Sequence, residues 1–232
     1  SFTHGMLRGS LQRLATEADR WTRLNLHCAE HLSEAPPPRD DGRIGRHLIA
    51  AGEHDRALEH LRTAALEEVG GDDRRAARAL LDLYEEALRL LGLAEDDPRR
   101  GEAWLLRSAL FFRASELDEA KREALRTRAA ARRHGWEALV PRALSRLGDI
   151  AKVRGELDDA EAHYRDALEH NVTLGDRTTE ANTRISIAHT LILGGHTDEA
   201  EEFVLQAREI MESLDKRGGV AQCLRFLGDI AR

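Results

Sequence analysis

Aromatic residues make up only 4 % of this 232-residue sequence. So few rings leave little on which bases could stack, and a net charge of −7 supplies no basic footprint. Both features argue against a nucleic-acid binder. The same acidic balance works against adhesion to an anionic membrane. No apolar run approaches the ~18 residues of a membrane span, and no signal-peptide pattern opens the chain. The only cysteines, Cys28 and Cys223, lie far apart with no paired spacing. They read as reduced, small hydrophobic side chains of a cytoplasmic protein. A phosphate-cradling Gly-x-x-x-x-Gly-Lys-Ser/Thr loop is absent, so nucleotide chemistry within this chain is not expected. Of five prolines, three fall in one run, Pro36-Pro37-Pro38.

What remains favours helix. Apolar residues reach 41 %, and Ala, Leu, Arg and Glu, all strong helix formers, dominate. Charged residues reach 33 %, which suits an array with much surface better than a compact globule. Ser115-Glu-Leu-Asp-Glu-Ala120 returns as Gly155-Glu-Leu-Asp-Asp-Ala160 and Gly195-His-Thr-Asp-Glu-Ala200, each block 40 residues after the last. Gly52-Glu-His-Asp-Arg-Ala57 is an earlier copy, out of phase. Leu147-Gly148-Asp149-Ile150-Ala151 returns two periods later as Leu227-Gly228-Asp229-Ile230-Ala231. Each block reads as a helix end, a tight turn and a new helix. Asp118, Asp158 and Asp198 put negative charge at the positive end of that new helix. The Ala that follows is small because two helices cross closely, and Tyr164 and Phe203 supply bulk one turn on. Ala167 and Ala207 continue the stripe.

The pattern predicts an all-α chain with helices near 5–17, 19–34, 41–51, 54–69, 72–92, 99–114, 117–134, 136–154, 157–174, 177–194, 197–214 and 218–231. Residues 36–42 form a proline-rich linker, since consecutive prolines cannot continue a helix. The stretch 72–92 reads as a long helix without an obvious partner. The chain starts at Ser and stops inside a helical pattern, as a piece of a longer protein would.

These residues resemble the tetratricopeptide repeat. In that family a large apolar residue precedes a Gly, with Ala twelve positions on, an aromatic four later and Ala three later. Leu147-Gly148, Ala160, Tyr164 and Ala167 match each step. Ile44-Gly45, Ala57, Leu61 and Ala64 are a weaker copy. The period is 40 rather than about 34, and Val172 stands near the place of the closing Pro. The resemblance implies a right-handed α-α superhelix, a tetratricopeptide-like solenoid over 43–232 with its last repeat truncated.

Phe2-Thr3-His4, Arg20-Trp21, Leu26-His27 and Ala29-Glu30 resemble the end of the winged-helix module in large bacterial signalling ATPases of the STAND type. That likeness implies a helical tail over 1–35 and an ATPase or kinase domain elsewhere in the parent. In such ATPases a residue matching His4 can face the nucleotide.

Candidate chemistry inside the chain is thin. His27 and His31 lie four apart on one helix, but a metal site needs three or four ligands and no third presents itself. His163 and His170 stand likewise. Adjacent acids such as Glu67-Glu68 and Asp158-Asp159 sit at helix starts or on polar faces, where capping and solubility explain them. In the basic run 121–133, Arg122, Arg126 and Arg133 share an outer face while Ala120, Ala124 and Ala131 pack. No catalytic residue, cofactor or metal is expected.

A tetratricopeptide array binds along the first helices of its pairs. Counting from Ser108, Gly148, Ala188 and Gly228, groove positions fall six and three before the small residue and one, four and five after it. The lining selected this way includes Leu105, Phe112, Arg113, Arg142, Asp149, Lys152, Asn182, Ile185, His189, Ile192 and Arg225. That mixture suits an amphipathic helix or an extended peptide carrying some acid. The chain is thus expected to be a protein-interaction scaffold, a regulatory or sensor module of a larger protein. The alternative is an arm that holds an upstream ATPase or kinase domain inactive. Leu224, Phe226, Leu227 and Ile230, lacking a covering helix, suggest a homo-oligomer through the terminal helix.

Overall fold

The structure, a computed structural model, describes residues 9, 13, 20–71 and 73–231. Among them are eleven helices and no strand: α1 Trp21–Ser33, α2 Asp41–Ala50, α3 His54–Gly70, α4 Arg74–Leu90, α5 Pro98–Arg113, α6 Leu117–His134, α7 Leu139–Arg154, α8 Leu157–Leu174, α9 Arg177–Leu193, α10 Thr197–Ser213 and α11 Arg217–Ile230. Of the helix expected over 5–17 only residues 9 and 13 are described, both helical, and His4 lies outside the described residues.

The turns between helices are built as the repeated blocks require. Asp118, Asp158 and Asp198 fall in the first turns of α6, α8 and α10. Asp40, Asp73 and Asp176 cap α2, α4 and α9, each accepting from a backbone N–H in the first turn. Gly155 and Gly195 take left-handed backbone angles, φ 77° and 81°. Gly135 and Gly175 do the same at the other turn of the period. Where the period places another residue, the backbone does not change. Ser115 has φ 62° and Asp215 φ 51°. A side chain in that region costs roughly 1 kcal/mol. Ser115→Gly and Asp215→Gly are therefore expected to raise stability by about 0.5–1 kcal/mol each, read from urea midpoints.

The chain forms two compact units, residues 1–106 and 107–232, with the boundary inside α5. In the first, α1 packs on α2, α2 on α3 and α3 on α4, and α2 also touches α4. Ile44, Leu48, Leu61, Tyr84 and Leu106 are its fully buried large side chains among the described residues. The helix expected to stand alone over 72–92 is instead α4, packed on α3 through an apolar stripe of Ala77, Leu80, Leu81, Tyr84, Ala87 and Leu88. In the second unit each helix from α6 to α11 packs on the next, and α9 also touches α11. Its core runs through Tyr164, Ala181, Ile187, Leu191, Val204, Met211, Cys223 and Phe226.

Within a pair, the two helices approach through residues 16 apart. Gly45 faces Leu61, and Gly148 faces Tyr164: a Cβ built on either glycine would lie 2.6–2.8 Å from the partner side chain. Ala188 and Val204 fall in the same register, both fully buried in one core cluster. Ser108 and Ala124, also fully buried, continue the series, with the Ser108 hydroxyl donating to the Ala120 carbonyl at 2.7 Å. Gly goes with Leu or Tyr, Ala with Val, Ser with Ala. The bulk assigned to Phe203 from sequence thus belongs to Val204, four residues after Ala200. Phe203 sits one position aside, half-buried beneath the Arg165 guanidinium.

Candidate binding face of the second unit

Gly148 sets this face in order. With no side chain there, the Tyr164 ring lies directly on the α7 backbone. Its hydroxyl then reaches along α7 to donate to Asp149 Oδ1 at 2.7 Å. Burial, with the Asp149 carboxylate beside it, pushes the Tyr164 phenol well above its usual range, so it stays a donor. Arg146 holds the other Asp149 oxygen at 3.3 Å and lays its guanidinium over the Phe112 ring, 5.3 Å from the centroid.

One turn beyond Asp149, the Lys152 ammonium stands over the Tyr164 ring, 5.3 Å from its centroid. Burial pulls this amine below the usual lysine range, and Asp149 works in the opposite direction. On α9, His189 is pulled down by burial and then by the cations of Lys152 and Arg225. Its ring lies 5.5 Å from that of Phe226, whose face also carries the Arg225 guanidinium at 5.2 Å. Phe112, Arg146, Asp149, Tyr164 and Lys152 therefore form one chain of ring, cation and carboxylate contacts across α5, α7 and α8, and His189, Phe226 and Arg225 form a second across α9 and α11, with the Lys152 charge felt at His189. The arrangement has donors and apolar ring faces but no nucleophile paired with a base.

The lining chosen from sequence is sorted by this geometry. Asp149, Lys152, His189, Arg225 and Phe112 come together as described. Asn182 and Arg113 are exposed, and Arg142 and Ile192 are half-buried, Ile192 against the core. Leu105, 7 % exposed, is a buried residue of the first unit, and Ile185, 4 % exposed, is a core residue of the second. Arg146 and Phe226 escaped the sequence rule. Both stand two residues before the small position, at Gly148 and Gly228, a register it did not count. Phe226 is buried rather than left bare.

Elsewhere, Cys28 is exposed and Cys223 buried. Ala120, Ala124 and Ala131 are fully buried while Arg122, Arg126 and Arg133 face solvent. No group of three or more His, Cys, Asp or Glu among the described residues is placed to hold a metal ion. No described helix is long and apolar enough to cross a membrane.

Residues 139–213, α7 to α10, match the tetratricopeptide repeat family. No curated protein matches the chain in sequence. Several solved structures share its fold. Aspartyl phosphate phosphatase F from Bacillus subtilis is 13 % identical with a TM-score of 0.67, over 80 % of this chain and 47 % of that one. A Signal Transduction ATPase with Numerous Domains (STAND) protein with a tetratricopeptide repeat sensor, from Pyrococcus horikoshii, is 15 % identical with a TM-score of 0.65. That match spans 93 % of this chain and 33 % of the other. A Rap protein complexed with competence and sporulation factor is 16 % identical with a TM-score of 0.62, over 92 % and 66 %. The chain therefore spans less than half the length of the first two. At these identities the likeness is one of fold.

Proposed function

We propose that this chain is a protein-interaction module whose second unit docks an extended or helical segment of a partner across α7, α9 and α11, as the sensing or regulatory arm of a larger signalling protein. The observation that carries this reading is the pair of contact sets on this face, Phe112 to Lys152 and His189 to Arg225. Together they set cationic groups, backed by the buried rings of Tyr164 and Phe226, on successive repeats, where a segment laid across them meets each in turn. The likeness in fold to a STAND protein with a tetratricopeptide repeat sensor, and to a Rap protein in complex with a factor, supports the same reading.

Short peptides selected from a displayed random library on the whole chain test it. Substitution of two exposed residues of α9, Asn182→Trp and Leu193→Asp, is expected to weaken the selected peptides about tenfold, read by fluorescence polarisation. Unchanged thermal melting shows that the fold survives. Peptides indifferent to both substitutions overturn the docking face. A segment of the parent protein that competes with them points to docking within one chain, as an inhibitory arm.

A further inference from the structure

Three side chains on the α7–α9–α11 face have no acceptor of their own. Lys152, His189 and Arg225 make no hydrogen bond or ion pair among the described residues; their contacts are with the rings of Tyr164 and Phe226. Around them, cations are matched. Arg146 holds Asp149, Arg154 holds Asp118, Arg165 holds Glu161 and Glu199, and Arg184 holds Glu180. Carboxylates are not scarce either, with 42 Asp and Glu against 35 Lys and Arg. The cations left unmatched therefore stand out against a chain that pairs most of those near them.

The three groups are also held in place. Tyr164, fixed by Asp149, is the wall behind Lys152. Phe226, buried between α9 and α11, is the wall behind His189 and Arg225. Lys152 and Arg225 lie close enough to His189 for the charge of each to disfavour its protonation. A partly desolvated ammonium without an acceptor is unfavourable, and an arriving anion relieves it. Lys152 and His189 are half-buried against these rings, so little ordering of those two is lost when an anion binds.

We propose that Lys152, His189 and Arg225 form a subsite for the carboxylate of an Asp or Glu side chain in the docked segment. This rests on the reading that a segment docks on this face at all. One guanidinium beside one ammonium and one imidazole complements a carboxylate, whereas phosphoryl groups are read by clusters of arginine.

The selected peptides provide the test, because the acid and the face can be varied separately. Peptides recovered on the whole chain are expected to carry Asp or Glu. Changing that acid to its amide, or Lys152→Met or Arg225→Gln in the protein, each weakens binding about tenfold. Combining the peptide change with Arg225→Gln adds little further loss, because both remove the same contact. Peptides that depend on Asn182 and Leu193 but carry no acid, or ignore Lys152→Met and Arg225→Gln, overturn the subsite and leave the docking face standing. Phosphoserine binding where the acid does not overturns the carboxylate assignment. Recovery of no peptide, or only of peptides indifferent to every substitution on the face, sinks both.

Discussion

Gly148→Ala is expected to cost about 2 kcal/mol of stability, against the usual gain when Ala replaces a helical Gly. The new methyl would lie 2.7–2.8 Å from three atoms of the Tyr164 ring. That ring cannot swing aside cheaply, because it is buried and its hydroxyl is tied to Asp149. Either α7 and α8 separate or the hydrogen bond breaks. Tyr164→Val alone leaves a hole opposite Gly148 and an Asp149 short of a donor, for a loss of about 3 kcal/mol. The two changes together recreate the Ala-with-Val pair that the chain uses at Ala188 and Val204. The double variant should therefore be more stable than the sum of the single losses predicts, by about 2 kcal/mol in a urea-unfolding cycle. Strict additivity would mean that the close approach of α7 and α8 is not made.

Removing the Glu180 carboxylate is expected to be at least as damaging. Glu180 is 2 % exposed, yet two arginines reach its carboxylate. It accepts from Arg177 at 2.6 Å and from Arg184 at 2.9 Å. Arg184, 18 % exposed, keeps only Gln206 as an acceptor once the carboxylate is gone. Glu180→Ala therefore leaves a largely buried guanidinium short of its counter-charge, at a cost of about 3 kcal/mol. Arg177→Ala should cost far less, since that side chain is mostly in solvent and such pairs contribute little. Glu180→Leu with Arg184→Leu removes both charges and is expected to recover much of the loss. Equal sensitivity of the Arg177 and Glu180 variants would show that burial is not what makes this pair matter.

Much of the fold was legible from sequence, because the repeated blocks carry their own punctuation. Asp in the first helical turn, Gly at the left-handed position and Ala at the crossing recur every 40 residues, and the helices lie close to where those signals put them. The signal weakened where the blocks lapse. Between residues 70 and 98 no block separates one helix from the next, so α4 read as unpartnered although its stripe is plain. The start of α7 was set too early for a related reason. Trp136 and the residues after it fit a helical pattern, but Trp136 is buried in a turn and stacked on His134.

The candidate face was legible only in part. A rule of fixed offsets found Lys152, His189 and Arg225, since helical phase alone places them. It could not say that Ile185 turns into the core, because burial depends on how closely α9 lies on its neighbours. Nor could it find Arg146 and Phe226. Their position matters only because a ring or carboxylate from another helix happens to meet it, and such pairings are not periodic.

The matching of small and large residues across each pair bears on how an array of this kind can change its length. A helix exchanged by itself arrives with the wrong counterpart: α9 set in place of α7 would press the Ala188 methyl into Tyr164, and α7 in place of α9 would leave a gap over Val204. Exchanged as a hairpin, each helix brings its complement with it. Duplication and loss in this lineage should therefore proceed in whole forty-residue cassettes, with breakpoints in the glycine turns and not within a hairpin.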